Sequence, residues 1–251
     1  MNYLPLDRAF ESPLLNLLNY PENNPQRARA QLSELQALGI EGFFTCGPVN
    51  ASGQSVLGLG YCGLVLLGQR QGEKVAIKIL RSDSTQPDLT LEADHQRYAN
   101  RAGVGPVLHA ATDSLIIMEY LPGTGLGNWL EECDPQKDCE QLRQILRSLL
   151  QDAFALDMVG LDHGALRCVA EHVIIDQGRA TLIDFSHASR QRRAANVTTL
   201  IQGLFWGTNL AADIGRCLPL PERELLIPLL QNYKQQGSST NFGALLNALP
   251  V

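Results

Sequence analysis

The chain has 251 residues, 45% of them hydrophobic, with 26 acidic against 20 basic side chains and a formal charge of −6. That size and apolar content exclude a disordered chain and suffice for one large domain or two small lobes. The acidic balance argues against nucleic acid as a non-specific partner and against an anionic membrane surface, since both need a net basic face. Ser189 to Arg193, SRQRR, is a local exception. No run approaches the roughly 18 apolar residues that span a bilayer, and MNYLPLDRAF lacks the layout of a signal peptide. The six cysteines, at 46, 62, 133, 139, 168 and 217, form no CxxC pair and no zinc-type cluster with histidine. A reducing cytoplasm is therefore the expected compartment, and the sequon Asn196-Val197-Thr198 carries no weight there.

Residues 1–44 carry Pro5, Pro13, Pro21 and Pro25, and Leu32, Leu35 and Leu38 recur at three-residue steps before Gly39. This predicts a helical N-terminal extension. From Thr45 to Leu80 short runs of Val, Ile and Leu cut by glycines, SVLGLG, CGLVLLGQ and EKVAIKIL, predict strands joined by tight turns. DLTLEADHQRYANRAG, residues 88–103, reads as one helix with Leu91, Tyr98 and Ala102 on its apolar face. SLIIMEYLPG is a further buried strand. Beyond it Leu142, Ile145, Leu146, Leu149, Ala153 and Leu156 mark a long helix, followed by two short strands, HVIID and ATLIDF, and helical segments to the end. The expected fold is α+β and two-lobed. Residues 45–121 would form a β-rich lobe with one helix, and residues 122–251 a compact, mainly helical lobe.

Gly58-Leu59-Gly60-Tyr61-Cys62-Gly63-Leu64-Val65 is GxGxxGxV. In a dinucleotide fold the third glycine would open a helix, whereas here the chain continues as a strand. A glycine hairpin over nucleotide phosphates is the better match, because glycines let backbone N–H groups approach phosphate oxygens; an ordinary hairpin with bulge glycines is the plain alternative. Lys78 follows in VAIK. An ammonium in an apolar strand needs an anion, and Glu92 of the next helix is spaced to provide it. Glu119 and Leu121 then offer backbone groups to an adenine edge, with Val65, Ala76 and Met118 as apolar walls. Asp184, in Ile183-Asp184-Phe185-Ser186, stands where a magnesium bridging phosphates would sit, though a strand-terminal Asp is also a common turn former.

In this order the motifs resemble the protein-kinase fold. More narrowly the chain looks like the small predicted Ser/Thr kinases of archaea and some bacteria related to the RIO and Bud32 lineages, through RSDSTQPDLTLEADHQRYANRAGVGPVLH, DHGALRCVAEHVIIDQGRATLIDF and RAANVTTLIQGLF. The resemblance runs from about Leu38 to Phe205. It implies ATP and Mg²⁺ as ligands bound in a cleft between lobes, a protein substrate or partner or autophosphorylation, Gly58, Gly60 and Gly63 over the phosphates, and Lys78, Glu92 and Asp184 as the phosphate-transfer set. It also implies a compact second lobe without a full activation segment, since no Ala-Pro-Glu follows Asp184.

One position departs. In LDHGALRCVAEHVIID, His163 and Gly164 match the kinase loop, but Ala165 replaces the acid that would accept the substrate proton. Glu171 and His172 fall where the second magnesium ligand is expected, and the carboxylate suits that hard cation better. Three explanations are open: a pseudokinase binding module, a stand-in base such as Asp162 or Glu171, or an introduced substitution at Ala165.

Overall fold

A computed structural model describes residues 2–206 and 209–251. It is α+β, with an antiparallel, sheet-rich N-terminal part and a helical C-terminal part. Two compact units divide the chain, residues 1–94 with 107–120 and residues 95–106 with 121–251.

The first unit is built on strands β1 (Asn2–Pro5), β2 (Ile40–Thr45), β5 (Gly58–Leu59), β6 (Gly63–Arg70), β7 (Glu73–Leu80), β8 (Leu108–Ala111) and β9 (Leu115–Glu119). They form one antiparallel sheet in the order β1-β2-β6-β7-β9-β8, with β5 also pairing β6. Strands β3 (Val49–Ala51) and β4 (Gln54–Val56) make a separate hairpin. Period-two alternation decides the faces. Leu64, Leu66, Val75, Ile77, Ile79 and Ile117 belong to one core with Leu32 and Leu35 of helix α1 (Pro25–Ala37) and Leu14, Leu17 and Leu18 of the preceding 3₁₀ turn. Ala76, Lys78 and Leu80 point the other way.

Residues 1–44 are therefore not a helical appendage. They contribute two strands and the apolar cover without which one sheet face would be bare. The expectation failed because β1 and β2 are short, and Gly42 interrupts the alternation that would mark β2. Gly42 itself is required by close packing, since an added Cβ would lie 2.5 Å from the Leu4 carbonyl oxygen.

Helix α2 (Thr90–Arg101) starts in the first unit and continues in the second. The second unit adds β10 (Thr124–Gly125), α3 (Leu126–Glu132), α4 (Cys139–Met158), β11 (Val173–Asp176), β12 (Arg179–Leu182), α5 (Asn196–Phe205), α6 (Asn209–Gly215), α7 (Arg223–Gln235) and α8 (Ser239–Ala248). The three short strands pair antiparallel in order β10-β11-β12. Leu142, Ile145, Leu146, Leu149, Ala153 and Leu156, the stripe read from the sequence, are fully buried with Leu200, Ile201 and Phe185. Among the described residues no helix is long and apolar enough to cross a membrane. All six cysteines are free thiols.

Candidate functional site

In the first unit, Lys78 Nζ lies 2.6 Å from Glu92 Oε1, and both side chains are buried. Cross-strand register explains what surrounds the ammonium. Lys78 is directly opposite Val65 on β6 and Ile116 on β9, and Ala76 is opposite Met118. Directly paired residues of antiparallel strands point to the same face, so Val65, Ala76, Lys78 and Met118 share one surface. Gly63 completes it: a Cβ there would come within 2.8 Å of Lys78 Cε, so the aliphatic stem rests against bare backbone.

The glycine hairpin turns between β5 and β6, with Gly60 N–H donating to the Gly63 carbonyl at 2.8 Å. Gly58, Gly60 and Gly63 all lie outside the left-handed region, so only Gly63 is obligatory, and for reasons of space. Arg81, which sequence reasoning missed, ties the tip down: its Nη1 donates to the Gly60 carbonyl at 2.9 Å and its guanidinium pairs with Asp83.

Glu92 sits in the first turn of α2, where a carboxylate suits the helix dipole. The apolar face expected for this helix is corrected at Leu91 only, since Tyr98 and Ala102 pack against the core of the second unit. Leu91 is 66% exposed, while Glu92, His95 and Gln96 are buried. The inward face is mixed, with Ala93 and Ala99 buried beside these three polar side chains, so counting large apolar residues misplaces Leu91. Glu119 is also partly corrected as an adenine contact, because its backbone N–H already donates to the Val107 carbonyl at 2.8 Å and its Oε2 accepts from Val107 N–H. Leu121 follows in the second unit.

In the second unit the loop 161–165 is fixed by hydrogen bonds. Asp162 and Ser189 exchange backbone bonds of 2.9 and 2.8 Å. His163 N–H donates to Asn196 Oδ1 at 2.8 Å, and Asn196 Nδ2 donates to the Leu161 carbonyl at 2.7 Å and to Asp157 Oδ1 at 2.9 Å. Burial pushes the Asp157 carboxyl up, against the lowering effect of bonds from Asn196, Val197 and Tyr233. Gly164 has φ +81°, and an added Cβ would collide with the His187 carbonyl oxygen. Asn196 and Asp157 carry no spacing signature, and the sequence draws attention to Asn196 only as a sequon.

Ala165 is half-buried and opens the 3₁₀ turn Leu166–Glu171. Asp162 Oδ2 accepts from Arg192 Nε at 2.8 Å, and Arg192 Nη2 donates to the His187 carbonyl at 2.6 Å. His163 is fully buried, with Nε2 3.1 Å from the Ile183 carbonyl and its ring against Phe185 and His172. Burial is the main force that drops its pKa to about 4, with His172 adding to it. A neutral, enclosed imidazole of this kind positions the loop. Glu171 is exposed at the end of the 3₁₀ turn, and the His172 carbonyl accepts from Ile183 N–H at 2.9 Å.

Asp184 lies two residues beyond β12, at φ +65°, with Oδ1 accepting from Ser186 N–H at 3.1 Å. It forms the turn and is strained in doing so, a combination that recurs at functional positions. Among the described residues no group of three or more His, Cys, Asp or Glu side chains is arranged to hold a metal. The arginines of SRQRR are engaged with their own chain: Arg190 stacks on Tyr98 at 4.1 Å, Arg192 holds the loop, and Arg193 donates to the Lys234 and Gln235 carbonyls. Comparison with protein-family models and with curated proteins returns no match.

Proposed function

We propose that the chain is an ATP-binding, protein-kinase-like phosphotransferase of RIO type, acting on Ser/Thr of a protein substrate or on itself, with transfer weakened by Ala165. The observation that carries this reading is the buried Lys78–Glu92 pair on the same sheet face as Val65, Ala76 and Met118. A buried ammonium held by a carboxylate beside a flat apolar surface suits a ligand with an anionic tail and an aromatic head.

The first unit would hold the nucleotide. Lys78, steered by Glu92, would meet phosphate oxygens, Gly58 to Gly63 would cover them, and Val65, Ala76 and Met118 would flank the base. In the second unit Asp184 would hold Mg²⁺, with Glu171 as the next oxygen donor and His172 behind it. Mg²⁺ commonly needs only one or two protein carboxylates beside the nucleotide's own oxygens, so the lack of a larger ligand cluster does not conflict with this. When bound, Mg²⁺ would neutralise phosphate charge. The acceptor hydroxyl would meet only a methyl group at position 165, which can neither take its proton nor orient it. Phosphoryl transfer depends chiefly on positioning and electrostatics, so slow turnover is expected to remain.

A second reading, a pseudokinase that uses nucleotide to stabilise a partner surface, is favoured by one observation. Asp162, the nearest stand-in for the missing acid, has its carboxylate engaged by Arg192. Calorimetric titration with ATP, with and without Mg²⁺, followed by a radiolabelled transfer assay on the same sample separates the two. Magnesium-dependent binding with slow transfer supports the enzyme, and binding without transfer supports the module. No nucleotide binding at all refutes both.

A further inference from the structure

We infer that the second unit carries a separate site for a phosphomonoester borne on an apolar body. A cavity of about 460 Å³ opens between α5 and α7, and Arg167, Arg223 and Lys234 all line it. Among the described residues none of these three cations has a carboxylate within ion-pair distance. This contrasts with Arg192 and Arg193, whose guanidinium groups are hydrogen-bonded by the chain itself. Three cations without a carboxylate partner line one space in a chain whose net charge is −6, and no acidic side chain lines that space. Like charges gathered this way repel, and an anion relieves the repulsion.

The cavity chemistry narrows the anion. A carboxylate brings one charge, whereas a phosphomonoester brings nearly two at neutral pH and three strong acceptor oxygens, the better match to two guanidinium forks and an ammonium. The remaining wall is mixed: Trp206, Ile227 and Leu230 are its apolar part, and Thr198, Gln202 and Gln231 its polar part. The Arg223 guanidinium lies 5.3 Å from the centre of the Trp206 ring, which orients that fork, and Ile227 and Leu230 continue the surface. A bare inorganic ion would leave the apolar part unused, whereas an aryl or alkyl group attached to the phosphate would cover it. The volume suits a small organic phosphate or one phosphorylated side chain. None of the lining residues belongs to the loop 161–165 or to the nucleotide set of the first unit, and Arg167 lies in the 3₁₀ turn that follows the loop.

The test is calorimetric titration with phenyl phosphate, with inorganic phosphate and phenol as comparators. Phenyl phosphate should bind more tightly than either comparator and more weakly as salt rises. Arg167→Gln/Arg223→Gln should weaken it by about tenfold or more, because it removes two charge-assisted contacts. Arg190→Gln, outside the cavity, should leave it unchanged. All three side chains are exposed, and circular dichroism checks that the variants fold. Phenyl phosphate binding no better than phenol, or unchanged affinity in the double variant, overturns the site. A matching loss of ATP affinity in the double variant overturns its separateness from the nucleotide site. A phosphotyrosine peptide fixes the source: tighter binding than phenyl phosphate assigns the site to a phosphorylated protein segment, and equal binding to a free organic phosphate.

Discussion

Replacing Lys78 by Met keeps the aliphatic stem against Gly63 but removes the ammonium from a pair whose side chains are 8% and 4% exposed. A solvated ion pair would contribute at most about 1 kcal/mol. Here Glu92 is left charged and buried, and losing one partner of a buried pair typically costs about 3–5 kcal/mol. For a chain of this size each kcal/mol moves the melting temperature by about 2–4 °C, so Lys78→Met should melt roughly 6–20 °C lower by far-UV circular dichroism. Adding Glu92→Leu removes the buried carboxylate that has lost its ammonium and should recover most of that loss, because apolar replacements of buried pairs are often neutral. ATP titration should show no binding to either variant. Destabilisation by Lys78→Met of under about 1 kcal/mol, or no recovery in the double variant, would refute the claim that this is a desolvated pair.

Ala165→Asp should raise transfer by roughly 10²–10⁴-fold in a radiolabelled phosphate assay while Ala165→Asn should not, the range expected of a general base; no gain from Asp with ATP still bound would favour the pseudokinase. Asp184→Asn, which tolerates the left-handed backbone at φ +65°, should abolish the magnesium-dependent part of ATP affinity without changing the melting temperature appreciably. Gly164→Ala should destabilise by about 1–3 kcal/mol, since the position combines a left-handed backbone with a collision at His187. Burial raises the Asp152 carboxyl to about 6, so its contribution is fully present below about pH 4 and is lost as pH rises through 6. Denaturation midpoints of Asp152→Asn should lack that fall, and an identical pH profile would show that Asp152 is solvated.

The elements legible in the sequence are those whose burial is apolar and local. Strands β6, β7 and β9 and helix α4 announce themselves by unbroken or periodic hydrophobic residues, and Pro25 and Gly39 bracket α1. Strand β8 was not legible because its residues are only half-buried, and β2 because Gly42 breaks its alternation. The pairing of Lys78 with Glu92 could be read because a buried cation demands a partner. The consequence that Lys78 also matters to stability could not, since burial on both partners is a tertiary property. Arg81, Asp157, Asn196 and Arg192 act through hydrogen bonds to backbone groups distant in sequence, and no spacing rule reports those. The units do divide at Leu121, and what the sequence does not show is that residues 95–106 join the second unit, since the helix that carries Glu92 runs on without a break.

The loop around Ala165 is held by Ser189, Asn196, Arg192 and the space left by Gly164, and none of these contacts uses the side chain at position 165. A substitution at position 165 would leave these contacts in place. Under the proposed function, a single substitution at Ala165 would therefore separate turnover from binding alone without rebuilding the loop.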